Sequence, residues 1–156
     1  MVLSAHGLSI DLPPGWEGRI FRHPGGEPTL HAGDFPLPHS DGDFGSRTTA
    51  EMPPGSTLLV LTEYRPGQGL VPGQGLFAGA EIPLPLDVRR FSSRGLLVER
   101  PGQAGFQHFF TSQGRPFCLY VVTSGPAASR AATGAAARRQ AERASAVLST
   151  LAITGR

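Results

Sequence analysis

The sequence predicts an α+β fold: an antiparallel β-sheet with a C-terminal helix packed across one face. Three stretches predict it. In Gly105–Gly125 two apolar runs, Phe106–Thr111 and Pro116–Thr123, flank Gln113-Gly114, and a glycine able to take positive φ in a two-residue connection signals a hairpin. Ser56–Tyr64 is a continuous apolar run between turn residues, the pattern of a strand buried on both faces. After Gly125-Pro126 the composition becomes alanine-rich, and Ala137, Ala141, Ala144, Leu148 and Leu151 recur at the spacing of one helical stripe.

If Gln113-Gly114 is the bend, Ser112 pairs with Arg115, Phe110 with Phe117, His108 with Leu119 and Phe106 with Val121. Strand alternation then gathers Phe106, His108, Phe110, Phe117, Leu119 and Val121 on one face, a core surface with one polar guest. Gln107, Phe109, Cys118, Tyr120 and Val122 take the other. Both faces are apolar enough to be covered, which predicts that the hairpin lies at the centre of the sheet and not at its edge.

Taken in order, Leu8–Leu12 alternates apolar and polar, Pro13-Pro14-Gly15 forces a turn, and Trp16–Arg22 reads as the returning strand of an opening hairpin. Pro28–Ala32 is a third short strand. From Gly33 to Gly55 the pattern dissolves into Asp, Gly, Pro and Ser, with Phe35, Leu37 and Phe44 as anchors; a connection this long is a place to look for function. Pro66-Gly-Gln-Gly-Leu70 recurs as Pro72-Gly-Gln-Gly-Leu76, too short a period for a solenoid unit. Ile82–Leu86 is extended because each proline keeps its predecessor out of helix. Val88–Phe91 and Gly95–Glu99 read as two more strands, and the firm part of the closing helix as Ala135–Thr150, with Arg138, Arg139, Glu142 and Arg143 off its buried stripe.

Composition narrows the function. At 156 residues the chain is sized for a single globular domain over 1–156 with a core that needs no disulfide. Cys118 is the only cysteine, and its apolar strand suits a packed side chain better than a nucleophile. All fourteen basic residues are arginine, which removes Walker-type, Schiff-base and general-base lysines. Met1–Pro14 has neither the basic start nor the apolar core of a signal peptide, and no run approaches the length of a membrane span, so the expected location is the cytoplasm.

The order of parts resembles the PsbP-like group, an α/β/α sandwich built on an antiparallel sheet. The likeness is carried by Leu8-Ser-Ile-Asp-Leu-Pro-Pro-Gly-Trp16, the Leu58–Tyr64 strand, the Phe106–Val122 hairpin and the closing Val147-Leu-Ser-Thr-Leu151. That group includes a factor that binds a small nuclear-transport GTPase, subunits of photosynthetic complexes and many bacterial proteins. The resemblance implies a non-enzymatic binding or assembly module without a cofactor, and it transfers no site residue.

Three residue sets are candidates for chemistry. His108 on its apolar face, near Glu63 or Tyr64 of the central strand, would be the polar group of an internal ligand pocket, possible in an enzyme. His23, His31 and His39 with Asp34, Asp41 and Asp43 are the donor types zinc or manganese would use, gathered by one loop-rich segment; the competing reading is a solvated loop with Asp41-Gly42 as turn residues. Leu70, Leu76 and Phe77, with Arg89 and Arg90, would meet a protein partner through exposed apolar loop residues and a basic run. The arginine runs 89–100 and 130–143 lack interleaved aromatics and any nucleic-acid motif, so they read as solvated or protein-docking faces.

Overall fold

The Gln113-Gly114 bend is where the sequence places it. Both residues take positive φ, 53° and 72°, the pair of left-handed conformations that a tight hairpin turn requires. In the computed structural model, which describes residues 1–67, 69–79, 81–125 and 134–155, the bend joins two ten-residue strands. Residues 127–133, including Arg130, lie outside that description.

Among the described residues eight strands form two antiparallel sheets. Strands β1 (Val2–Ala5), β2 (Leu8–Asp11) and β8 (Ala152–Ile153) make a small sheet in the order β1-β2-β8. The main sheet runs β3-β4-β5-β7-β6, with β3 (Glu17–Phe21), β4 (Thr29–Gly33), β5 (Thr57–Glu63), β6 (Gln103–Ser112) and β7 (Arg115–Ser124). The described residues also include helices α1 (Ser46–Ala50) and α2 (Ala135–Leu148).

The hairpin register is the predicted one, with Ser112 opposite Arg115, Phe110 opposite Phe117, His108 opposite Leu119 and Phe106 opposite Val121. Alternation sorts the main sheet into two cores. On the first face Leu30, Leu59, Leu61, Phe106, Phe110, Phe117, Leu119 and Val121 meet α2 through Ala141, Ala144, Val147 and Leu148, and meet β2 through Leu8, Ile10 and Leu12. On the second, Leu58, Val60, Tyr120 and Val122 lie under Phe35, Met52 and Leu96, with Leu37 and Phe44 at the rim. Each fully buried side chain of this size contributes on the order of 2 kcal/mol by leaving water, so both cores stabilise the sheet.

The structure corrects four expectations. The hairpin is not central, because β7 sits inside the sheet but β6 is an edge. That edge is covered by chain: Ser92 and Gly105 exchange backbone hydrogen bonds at 3.0 Å, and Thr111 N–H donates to the Gly79 carbonyl at 2.8 Å. Leu8–Leu12 does not pair with Trp16–Arg22; β2 instead pairs with β1 across His6-Gly7, two positive-φ residues like those of the later turn, while β3 joins the main sheet. Neither Val88–Phe91 nor Gly95–Glu99 is a strand: Val88–Arg90 is a 3-10 turn, and Gly95 ends a second one, Ser93–Gly95, each opened by a side chain, Asp87 or Ser92, that accepts a backbone N–H. Finally, α2 buries Gln140 in its stripe, where the side-chain amide reaches the Ser56 and Ser124 carbonyls at 3.3 and 3.4 Å.

Candidate functional site

His108 stands on β6 at the rim of the first face, half-buried and stacked on Phe110 at 5.7 Å. Its Nε2 lies 3.1 Å from the Glu81 carbonyl, which fixes that nitrogen as the donor in the neutral ring. Nδ1 then faces the Arg90 guanidinium at 3.5 Å, and Arg90 itself lies 4.6 Å above the Phe106 ring. Burial holds the His108 pKa below its ordinary value, and the neighbouring arginine cation adds to the effect. Both ring nitrogens are therefore engaged and the imidazole is neutral.

Glu63 and Tyr64 do not join it. Glu63 sits opposite Phe117, and its carboxylate takes the Arg115 guanidinium in a bidentate pair at 3.1 and 2.7 Å. Tyr64, the next residue, faces the second layer against Phe77, Phe109 and Phe44, where burial pushes its phenol up to about 12. Consecutive residues at a strand end point to opposite faces, so the expected set of His108, Glu63 and Tyr64 splits. Cys118 lies across from Phe109, on the face opposite His108; it is fully buried and its thiol is pushed up to about 12. A thiolate nucleophile is not formed there at neutral pH.

The six loop donors are not brought together either: among the described residues no three His, Cys, Asp or Glu side chains could hold a metal ion. Among the described residues all but the His39 ring have a structural partner. Asp34 accepts the Thr57 N–H at 2.7 Å, fastening the start of β5. Asp41 accepts the N–H of Gly42, Arg47 and Thr48 and the Thr48 hydroxyl, which seats α1 and holds its carboxyl below the ordinary range against the cost of burial. His23 Nδ1 pairs with Asp43 at 2.8 Å in an exposed contact. His31 is fully buried, and its Nε2 meets the Asp43 carbonyl at 2.8 Å. His39 is exposed, and the Arg19 guanidinium donates to its carbonyl.

Of the residues expected to meet a partner, Leu76 is 60% exposed, whereas Leu70 is half-buried and Phe77 is buried at 1%. Phe77 fills the space between Tyr64 and Phe109 and anchors the loop. Val71, not singled out in the sequence, is 44% exposed on the same loop. Thr111 braces that loop: its Oγ1 accepts the Gly73 N–H at 2.8 Å and donates to the Phe77 carbonyl at 2.7 Å. Arg89 is exposed but folded back on Asp87 at 2.9 Å, and Arg90 is held over Phe106, so the expected basic run is largely self-satisfied. In the Gly33–Gly55 connection Phe35 is buried in the second core and Leu37 and Phe44 pack against it, as anchors do.

Clefts open on the first-face side. One, of about 290 Å³, lies between the hairpin tip and the end of α2, walled by Ile82, Leu84, Phe110, Leu148, Leu151 and Ile153. A larger groove of about 470 Å³ runs between the Pro13–Trp16 turn and α2. In the sequence Pro13-Pro14-Gly15-Trp16 reads only as a turn and a strand start; the signal for the groove is the chain's single tryptophan, one residue beyond two prolines. Comparison with protein-family models, curated proteins and solved structures finds no match for the chain.

Proposed function

We propose that the chain is a non-catalytic protein-binding module, an accessory part of a larger assembly working in the cytoplasm, and that the Val71–Leu76 loop is its contact with that assembly. The observation that carries this reading is the rigid display of two aliphatic side chains. Val71 and Leu76 are 44% and 60% exposed, while Phe77 and the Thr111 hydrogen bonds fix the loop beneath them. Pre-ordered apolar side chains lose little conformational entropy on docking, which suits a contact made by few residues.

The histidine and cysteine chemistry supports the same reading, since His108 is neutral with both nitrogens engaged and Cys118 is buried as a thiol. So does the outline resemblance to the PsbP-like group. Among the described residues no helix is long and apolar enough to cross a membrane. The test is capture of partners from the native host by the wild-type protein and by the Val71→Ser/Leu76→Ser variant, with identification by mass spectrometry. A defined partner should be recovered by the first and lost by the second; equal recovery, or none with the wild type, refutes the assignment.

A further inference from the structure

The groove beside Trp16 is built from chain segments far apart in sequence. One wall is Pro13, Pro14 and Trp16; the other is Ala146, Val147 and Thr150 from the end of α2. Arg143 also lines it, as does Asp11, whose carboxylate is paired with the Met1 ammonium at 3.1 Å. Arg143 also borders the next cleft along the helix, which includes Arg139 and Gln140. Positions 139, 143, 146, 147 and 150 follow the spacing of one helix side, so the arginines continue the line of the groove.

Arg138, Arg139 and Arg143 are exposed, and none of their side chains makes a hydrogen bond or ion pair among the described residues. Glu142 is the only acid on α2, set against these three arginines. Elsewhere Arg65 meets Glu27 and Arg89 meets Asp87, while the exposed Arg47 and Arg94 stand singly without a side-chain partner among the described residues. A row of uncompensated guanidinium groups running into a cleft lined by tryptophan and proline is complementary to one kind of ligand, with an apolar body and negative charge beside it.

We propose that the Trp16 groove and the Arg139–Arg143 row form a docking site for an acidic protein segment carrying an aromatic side chain. The aromatic ring enters between Trp16 and Val147, and flanking carboxylates meet Arg143 and Arg139. An acidic peptide fits better than nucleic acid, because one aromatic side chain in a walled groove accepts one ring and provides no platform for successive bases. The site is separate from the Val71–Leu76 loop and stands whether or not that loop binds a partner.

The single tryptophan makes the test direct, since Trp16 emission excited at the red edge reports the groove alone. The probe is an acetylated, amidated heptapeptide of six Glu and one central Phe. The controls replace Phe by Ser, replace every Glu by Gln, or substitute a dodecamer of thymidylate. The full peptide should shift Trp16 emission to the blue and saturate, with affinity falling at least tenfold in Arg139→Glu/Arg143→Glu and in Ala146→Glu. All three positions are exposed, so these variants should fold, as circular dichroism can verify. Loss of the shift with both peptide controls supports the site. No saturable shift with the full peptide, equal binding of a control peptide, tighter binding of the thymidylate, or unchanged affinity in the variants overturns it. The Val71→Ser/Leu76→Ser variant should bind the peptide like the wild type, which separates this result from the fate of the loop contact.

Discussion

Arg115 shows how much one side chain can organise. Its guanidinium is 4% exposed and makes a bidentate pair with Glu63, itself 2% exposed. The remaining N–H groups donate to the carbonyls of Thr154 at 2.8 Å, His6 at 3.0 Å and Gly7 at 3.4 Å. One residue of the main sheet thus fastens the β1–β2 turn and the end of the chain next to β8, and a Cβ at Gly7 would lie 2.6 Å from the Arg115 Nη1. Removing the guanidinium withdraws the charge partner of a buried carboxylate, which costs about 3–5 kcal/mol. Arg115→Met should lower unfolding free energy in urea by that order, and adding Glu63→Leu should restore a large part of it. If the single variant loses less than about 1 kcal/mol, the order typical of exposed pairs, the residue is not the fastening described.

At the level of elements, protection of the β6 edge governs how the hairpin survives outside the sheet centre. Gly95 lies so close to β6 that a built Cβ would stand 2.1 Å from the Gly105 carbonyl, the same carbonyl that accepts the Ser92 N–H. Gly95→Ala should push the Ser92–Leu96 segment off the edge, destabilise the fold by roughly 1–3 kcal/mol and expose the Gly105 amide to hydrogen exchange. Unchanged exchange at Gly105 would show that the segment does not guard the edge. This dependence also explains what was legible in the sequence. The hairpin register, β4, β5 and the α2 stripe were readable because alternation and helical periodicity are local signals. The edge position of β6, the small sheet and the 3-10 turns were not, because they depend on which strands find each other and on single side-chain caps at Asp87 and Ser92. The candidate sites were less legible still: Asp34, Asp41 and His31 read as possible ligands, yet all three serve the connection between β4 and β5. Trp16 and Arg143 meet only through tertiary packing.

For the molecule as a whole, buried titrating groups on the two faces set the pH range of stability. His31 lies in the interior with Nδ1 unpartnered and Nε2 committed to the Asp43 carbonyl. Burial holds its pKa below the ordinary 6.5, against smaller opposing effects of that hydrogen bond and of Asp41 and Asp43, while Arg19 nearby reinforces the shift. His108 is lowered in the same direction. Since the unfolded chain takes up protons below about 6.5 and the folded one does not, stability present above that pH is lost progressively as pH falls toward the folded values. Cys118 works at the other end. Its pKa rises from 9.0 to about 12, so above pH 9 the unfolded state releases a proton that the folded state keeps, and stability falls as pH rises. Tyr64, raised from 10.0 to about 12, steepens that decline. Urea midpoints measured from pH 5 to 10.5 should therefore trace a dome between about 6.5 and 9. His31→Gln should flatten the acid limb and Cys118→Val the alkaline one, each relative to its own midpoint at pH 7.5. A wild-type midpoint that stays level from pH 7.5 to 5, or limbs that keep their slopes in the two variants, would mean that other groups control the response.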